Sequence, residues 1–363
     1  TAPRIRAGTV YIVVSLVSSV IFLAAIAMIY GATGTVNIAQ LTVRLAELPA
    51  DIQLILHVML LIAFGIKAAV FPLSFWLPDS YPMAPAPVTA VFAGLLTKVG
   101  VYAIIRTEMI IFPDGQLNTV LLIVAGLTMV AGILGAVAQS DIKRLLSFTL
   151  VSHIGYMLFG IGIDTAAGLA AATYYIVHHI TVQTTLFLAT GLVERQGGTT
   201  GINKLGGMLK TSPMIAVLFF IPMLSLGGIP PFSGFLGKLA LFEAGANNGS
   251  VLAWVLIGCG ALVSLLTLYA LARAWSMIFW RDADEVANYE NPLPMIAEEG
   301  ASAEVESVRT TPRIMVASTV AMVAVSVGLT VFATPLFDLS ANAGENIDGP
   351  GYYVMTVFPG GFE

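Results

Sequence analysis

Two stretches decide the fold: GIKAAVFPLSFWLP at residues 65–78 and GGIPPFSGFLGK at residues 227–238. Each places a lysine, Lys67 or Lys238, beside helix-breaking prolines inside a long apolar segment. Placing an ionisable side chain at the centre of a bilayer costs roughly 2.5–3.5 kcal/mol of insertion free energy, so a residue of this kind is treated first as a candidate functional residue. Proline frees backbone carbonyls, and lipid tolerates such a break only against other protein or water. The pattern is typical of ion sites at discontinuous helices of transporters.

The composition indicates a polytopic membrane protein. The chain is 57% hydrophobic and 10% charged, with a mean hydropathy of +0.90, whereas soluble domains carry about 25% charged residues. The lone Cys259 lies in an apolar segment, which favours packing over a disulfide or a metal cluster. We therefore expect no metal site, no cofactor and no nucleic-acid partner. Because the chain opens at Thr1 without a methionine, with Arg4 and Arg6 just before a span, we expect that its beginning is missing.

Nine segments are long and apolar enough to cross a membrane, which takes about 20 residues each. The seventh is too long for one straight crossing, and Gly227, Gly228, Pro230 and Pro231 divide it into two half-helices. The second is ended or broken near Pro72. The predicted fold is an all-α membrane bundle with two discontinuous helices. The spans run near 8–31, 52–75, 86–110, 117–139, 142–163, 165–193, 212–246, 250–280 and 312–335.

Short loops predict the orientation, because cytoplasmic loops are rich in lysine and arginine. One side of the membrane would carry most of the loop cations, and the other side only Arg44 and Arg106. The chain then starts in the cytoplasm and, after nine crossings of the plasma membrane, ends outside. The cations of the first side are Arg4, Arg6, Lys143, Arg144, Arg195, Lys204, Lys210, Arg281, Arg309 and Arg313.

Three segments outside the spans have their own patterns. The apolar residues of NIAQLTVRLAEL, residues 37–48, recur at helical spacing and predict a short amphipathic helix at the interface. Residues 282–308 hold eight acids and no lysine or arginine, which indicates a solvated loop or a docking surface for a basic partner. The glycine-rich tail after residue 335 should be irregular unless another subunit holds it.

Long motifs in this chain resemble a known family. The chain resembles the proton-translocating antiporter-like subunits shared by respiratory complex I and the multisubunit Mrp-type Na+/H+ antiporters, and looks most like the Mrp type. The similarity extends over residues 1 to about 280, and weakly to 335. Its motifs are GATGTVNIAQLTVRLAEL (31–48), GIKAAVFPLSFWLPDSYPMAPAPVTAVFAGLLTKVGVYAIIR (65–106), DIKRLLSFTLVSHIGYML (141–158) and IPMLSLGGIPPFSGFLGK (221–238).

The resemblance implies a division of the chain. Subunits of this family have fourteen spans and two inverted five-helix repeats, and the nine spans here would match spans six to fourteen. Residues 1–110 would be the remainder of the first repeat, 111–280 the second repeat, 281–311 an acidic cytoplasmic loop, and 312–363 the final span and tail. Family span five, with the glutamate expected to pair with Lys67, would then be absent. Because an unpaired buried charge is strongly disfavoured, a longer protein or another chain should supply the partner.

Three lysines match lysines of the family's proton pathway: Lys67 and Lys238 at the broken spans, and Lys98 within the third span. Each would alternate between charged and neutral forms, because burial disfavours the ammonium and a nearby carboxylate favours it. The alternative for each is a side chain that snorkels to the interface. Gly94 and Tyr102 fall on the helical face of Lys98 at i−4 and i+4.

Polar residues on the fifth and sixth spans would join the lysines. His153 would relay protons between its ring nitrogens, although a lone histidine is often only packing. Tyr175, His179 and Gln183 share one helical face that could line a water chain, but Gln183 stands where the family has a lysine. Adjacent residues on a helix point about 100° apart, so His178 and His179 should not share a metal ion.

Two acids have more ordinary explanations. Asp141 should cap the fifth span, and Glu108 could lie at a channel mouth near the outer end of the third.

The predicted function is proton translocation within a multisubunit Na+/H+ antiporter, rather than enzymatic chemistry with redox centres of its own. The expected partners are other membrane subunits, protons, Na+ or another monovalent cation, and lipid. The alternatives are a proton-pumping subunit of complex I or a membrane-bound hydrogenase, and a scaffold whose lysines only pair with acids.

Overall fold

The computed structural model describes residues 2–287 and 311–358, which fold almost entirely into helices. Most of the predicted acidic loop lies outside the described residues. Besides two short helices, Met208–Thr211 and Ala283–Ala287, the α-helices are α1 (Ala2–Thr33), α2 (Ile38–Ala46), α3 (Ala50–Ala68), α4 (Trp76–Ser80), α5 (Ala86–Ile111), α6 (Asn118–Val137), α7 (Ile142–Gly162), α8 (Ala166–Gly197), α9 (Pro213–Gly227), α10 (Ser233–Asn248), α11 (Val251–Trp280), α12 (Arg313–Val331), α13 (Ala333–Ile347) and α14 (Gly351–Val357).

The spans confirm the predicted fold class. Eight helices in the described part of the chain are long and apolar enough to cross a membrane, namely α1, α3, α5, α6, α7, α8, α11 and α12. The predicted seventh span is two half-helices, α9 and α10, and α9 is apolar but shorter than the eight candidate spans. The second span is shorter than predicted, since α3 ends at Ala68 rather than near residue 75.

Both breaks have a clear backbone cause. Ala69 takes a left-handed conformation with φ of 59° and ends α3, and Pro72 follows. Gly228, with φ of 82°, ends α9 before Pro230 and Pro231. Glycine takes this conformation without steric cost and proline cannot continue a helix, so the second break is the better marked of the two in the sequence.

Polar side chains cap several of the helices, as expected for residues whose oxygen can accept from a free backbone N–H. Asp141 accepts from the backbone N–H of Arg144 at 3.0 Å, which confirms that it caps α7. Thr165 and Ser250 cap α8 and α11 in the same way. Asn37 caps α2, and this short helix lies where the sequence predicts an amphipathic one.

The centre of the bundle is formed by α7 and α8. The most apolar part of α7 is 94% buried, which is the highest share among the candidate spans of the described chain. Gly132 brings α6 close to α7, because a Cβ there would lie 2.4 Å from the backbone nitrogen of Ser152. The polar residues of α7 and α8 therefore lie in the interior, surrounded by the other helices.

The described residues after 335, up to 358, are mostly helical, so the prediction of an irregular tail is wrong for them. Helix α13 packs against the start of α8, where the ring of Phe337 stacks on Tyr174 at 3.9 Å. Gly344 makes the approach possible, since a Cβ there would lie 2.5 Å from the carbonyl oxygen of Ala166. Helix α14 reaches the far side of the same end of the bundle, where Tyr353 lies 4.4 Å from the guanidinium of Arg106.

Ion pairs occur at the end of the bundle opposite to α13 and α14. Lys143 is nearly buried and its Nζ lies 2.6 Å from a carboxylate oxygen of Glu194. Lys210 donates to Asp282 at 2.8 Å on the surface. The hydrogen bond from Lys210 holds the pKa of the Asp282 carboxyl below its usual value, and the same bond raises the pKa of Lys210.

Candidate functional site

Lys98 lies in the middle of α5 and is 3% exposed. Its Nζ donates to the carbonyl oxygen of Ala93 at 2.7 Å. That carbonyl belongs to a π-helical turn, Phe92–Leu96, whose wider spacing loosens the regular backbone ladder. Such turns are frequent at functional sites. The ammonium is therefore held within the span by the backbone, and snorkelling does not describe it.

The neighbours of Lys98 differ in part from the prediction. Gly94 faces α8 closely, because a Cβ there would lie 2.1 Å from the hydroxyl oxygen of Thr184. Tyr102 is 57% exposed and lies on the outside of the bundle, so it does not share the buried environment of Lys98. The contact at Gly94 and Thr184 thus places the Lys98 helix against the helix that carries His179.

Three polar side chains meet at the centre of the bundle, where α7 and α8 cross. The hydroxyl of Tyr175 and Nδ1 of His153 are hydrogen-bonded at 2.8 Å. The ring of His179 lies 5.2 Å from the ring of His153, and Nε2 of His153 lies 3.5 Å from the hydroxyl of Thr267. All four side chains are fully buried. The structure therefore brings the predicted His153, Tyr175 and His179 together.

Gln183 lies one helical turn beyond His179 and is also fully buried. Its amide nitrogen donates to the carbonyl of Leu146 at 2.7 Å. Its amide oxygen and both ring nitrogens of His179 have no partner among the described residues. Buried polar atoms are nearly always hydrogen-bonded in native proteins. These orphaned atoms thus mark a place suited to a further hydrogen-bonding partner such as water.

His178, for which the sequence predicts no role beyond excluding a metal ion shared with His179, also belongs to this buried polar group. Its Nδ1 lies 2.9 Å from the hydroxyl of Ser233, the first residue of α10. Its ring centroid is 5.4 Å from that of Tyr175, and its Nε2 has no partner in the described part of the chain. His178 and His179 therefore point in different directions, one toward the break and one toward His153.

Lys238 lies in the second turn of α10, beside the break that follows α9, and is 3% exposed. Its three N–H groups have three acceptors: the carbonyls of Leu226 at 3.0 Å and Gly227 at 3.4 Å, and the hydroxyl of Ser264 at 2.9 Å. The ammonium also lies 5.4 Å from the ring centroid of Tyr156. The break therefore supplies the carbonyls that hold the lysine, as the Gly-Gly-x-Pro-Pro motif predicts.

Lys67 lies in the last turn of α3 and is only half-buried. Its Nζ donates to the hydroxyl of Ser15 at 2.8 Å. It borders a cavity of about 300 Å³, whose lining includes Ser18 and Trp76. No ion pair links Lys67 to a carboxylate of the residues that the structure describes. The cavity leaves room for a partner next to the ammonium.

Glu108 is separate from this central group. Its side chain is 1% exposed, and its Oε1 lies 2.7 Å from Nε2 of His57 on α3. The sequence predicts an acid at a channel mouth, whereas the structure places it in a buried pair. The partner was missed because His57 and Glu108 lie 51 positions apart, and no pattern in the sequence links them.

The chain is similar to known membrane subunits over most of its length. The family described as "NADH:quinone oxidoreductase/Mrp antiporter, TM" matches residues 1–264. The D subunit of the Na+/H+ antiporter of Alkalihalophilus pseudofirmus is 39% identical, with 98% of this chain and 69% of that protein covered. The D subunit of the Na+/H+ antiporter of Bacillus subtilis is 37% identical, with 78% and 58% covered.

Solved structures agree with this relationship. A chain of the Mrp complex from Dietzia sp. has a TM-score of 0.85 and 34% identity, with 97% of this chain and 70% of that chain covered. A chain of respiratory complex I from Thermus thermophilus has a TM-score of 0.72 and 24% identity, with 93% and 69% covered, and shows a shared fold. The chain therefore belongs to the NADH:quinone oxidoreductase/Mrp antiporter family of membrane subunits.

Proposed function

We propose that this chain translocates protons as the D subunit of a multisubunit antiporter that exchanges protons for Na+ or another monovalent cation. Relatives named as D subunits of Na+/H+ antiporters support this proposal at 39% and 37% identity. Other membrane subunits of the complex, and the lipid of the plasma membrane, would surround the exposed apolar faces of its helices. It would work as a transporter subunit without redox centres of its own.

The observation that carries the proposal is the row of buried polar groups between two lysines. Lys98 lies on a helix that contacts the helix of His179, and His179 lies beside His153. His178 continues the row toward the break that holds Lys238. An apolar bundle would gain nothing from burying so many polar side chains, because each costs free energy unless it is paired.

The proton would move by alternating charge along this row. A lysine that accepts a proton becomes a cation and disfavours a positive charge on its neighbour, so each transfer promotes the next. Histidine can pass a proton from one ring nitrogen to the other. Gln183 cannot carry the charge as a lysine would, but its unpaired amide oxygen can accept a hydrogen bond from water. Lys67, beside its cavity, would exchange protons with a carboxylate partner.

Two other functions are less well supported. A proton-pumping role in complex I rests on a likeness of 24% identity, which concerns the fold. A scaffold role would need lysines paired with acids. Lys98 and Lys238 instead bond to backbone carbonyls and, for Lys238, to a serine hydroxyl.

The positive-inside rule would place the start of the chain in the cytoplasm and its C-terminus outside.

The test is ΔpH-driven cation exchange in vesicles that contain the assembled complex. Lys98→Ala and Lys238→Ala should each abolish exchange while assembly remains normal. Lys204→Ala is the matched control, since this lysine is exposed on a loop and should keep the parental rate. Cation exchange at the parental rate in both variants would refute proton translocation by these lysines and favour the scaffold role. A chain that co-purifies with a cofactor-bearing peripheral arm would favour the complex I role.

A further inference from the structure

The pair formed by His57 and Glu108 is buried but is not part of the row of polar groups between Lys98 and Lys238. The two side chains are 2% and 1% exposed, with 2.7 Å between Nε2 and Oε1. Glu108 lies on a second π-helical turn, Thr107–Ile111, at the end of α5. Its other oxygen, Oε2, is buried and has no partner among the described residues. A carboxylate oxygen without a donor in such a place is poised to bind one.

The pair of His57 and Glu108 lies between the two lysines, Lys67 and Lys98, and one end of the bundle. His57 precedes Lys67 by ten residues on α3, and Glu108 follows Lys98 by ten residues on α5. At a rise of 1.5 Å per residue, each member is about 15 Å along its helix from a lysine. That end of the bundle is the one that carries α2, α13 and α14. A proton that travels from the lysines to this end would pass the pair.

An apolar layer covers the pair on its outer side. The ring of Phe112 stacks on the imidazole of His57 at 4.4 Å. The hydroxyl of Thr42 on α2 donates to the carbonyl of Ile110 at 2.7 Å, so α2 is fastened to the π-turn that holds Glu108. The buried apolar residues of this layer are Ala25, Ile29, Leu41, Leu45, Leu56, Leu60 and Phe112.

The other charged groups near this end do not contact the pair. Arg44 of α2 donates to a backbone carbonyl at the end of α1, and Arg106 lies over an aromatic ring of α14. Glu47 and Asp51 are exposed. Within the described chain, His57 is the one side chain at hydrogen-bond distance from the Glu108 carboxyl group. Oε2 of Glu108 is therefore the atom of the pair that remains open to a further hydrogen-bond partner.

We propose that His57 and Glu108 form a proton-exchange station between the lysines and this end of the bundle, with α2 as its lid. The proposal rests on the proposed function and adds the route by which protons reach one membrane face. A proton arriving through water would bind Oε2 and convert the carboxylate to a carboxylic acid. When α2 moves away and admits water, the acid would release the proton and become a carboxylate again, while His57 holds Oε1 throughout.

Carbodiimide labelling of the assembled complex tests the station without measuring transport. These reagents modify protonated carboxyls in apolar surroundings, so dicyclohexylcarbodiimide should label Glu108 more at acidic than at neutral pH. Exposed Glu47 is the internal control and should remain unmodified, as read by peptide mass spectrometry. A Glu108 that is never labelled would overturn the proposal. Labelling that falls when Na+ is added at constant pH would show a cation site instead, and would equally overturn it.

Transport variants complete the test. Glu108→Gln should lower ΔpH-driven exchange by at least about tenfold, as for loss of a proton-transfer group, while Glu108→Asp retains part of the rate. Parental exchange by Glu108→Gln would refute the station but leave the midplane row intact. Lys98→Ala should lose exchange yet keep Glu108 labelling, which separates the two proposals. Thr42→Val removes the bond that fastens α2, so labelling should become faster; an unchanged labelling rate would refute the lid.

Discussion

Replacing Gly100 by alanine should destabilise the contact between the two helices that carry Lys67 and Lys98. Gly100 lies on α5, two residues after Lys98, and faces Ala68 in the last turn of α3. A Cβ at position 100 would lie 2.6 Å from the backbone nitrogen of Ala68, 3.0 Å from its Cα and 3.1 Å from its Cβ. Ala68 directly follows Lys67, so any displacement reaches the lysine.

The magnitude follows from these distances. Ordinary contact begins at 3.4 Å, so the helices must separate by about 0.8 Å, and the backbone of Ala68 cannot rotate aside as a side chain would. Overpacking of this kind costs about 1–3 kcal/mol. Alanine is favoured over glycine within a helix by about 1 kcal/mol, which offsets part of the cost. The net destabilisation should therefore be up to about 2 kcal/mol, together with slower exchange.

Gly258→Ala provides the matched control, because a Cβ at this glycine of α11 would meet nothing within 4 Å. Thermal unfolding of the purified complex and ΔpH-driven exchange in vesicles would be measured for both variants. Gly100→Ala should unfold at a lower temperature than the parent, and Gly258→Ala at the same temperature or a higher one. If Gly100→Ala unfolded no earlier than Gly258→Ala and exchanged at the parental rate, the reasoning from close packing would be refuted.

Three further predictions concern the polar groups at the end of the bundle opposite to α13 and α14. Asp141→Ala should destabilise the protein by about 1–2 kcal/mol through loss of the α7 cap, and Asp141→Asn by much less; equal unfolding temperatures would contradict the capping role. Glu194→Gln should destabilise more than Lys143→Met, because it leaves the nearly buried ammonium unpaired; the reverse order in thermal unfolding would contradict this. Lys210→Met should leave the unfolding temperature near neutral pH almost unchanged, because both partners are exposed. The small contribution of the Lys210–Asp282 pair should disappear as pH falls through the lowered pKa of Asp282, or rises through the raised pKa of Lys210; a large loss of stability in Lys210→Met at neutral pH would refute the assignment.

The fold was predictable where a physical rule marks the sequence. The break of the seventh span is marked by two glycines and two prolines, and the structure places two half-helices there. The end of α3 is less well marked, because hydropathy treats the residues after Ala68 as a continuation of the span. The backbone turns at Ala69, a residue type that rarely takes a left-handed conformation. The length of the second span was overestimated for this reason.

The candidate site was predictable one residue at a time, but its contacts were not. Lysines within apolar segments are costly, which is why Lys98 and Lys238 could be singled out. Tyr102 lies on the same regular helical stretch as Lys98, Thr97–Arg106, yet its side chain is on the outside of the bundle, because packing against neighbouring helices decides which side chains become buried. His57 escaped notice because its partner lies on another helix. Contacts between distant segments depend on tertiary packing, which a single sequence does not show.

The last two described helices have a mechanical consequence. Phe337 of α13 stacks on Tyr174 near the start of the histidine-bearing helix, and Tyr353 of α14 covers Arg106, two residues before Glu108. The segment formed by α13 and α14 thus connects α8 to α5 at one end of the bundle. If α5 and α8 move relative to each other, the segment formed by α13 and α14 must move with them, or one of its two contacts, at Tyr174 or at Arg106, must break. A fluorescent reporter pair at the two contacts would show which of these occurs.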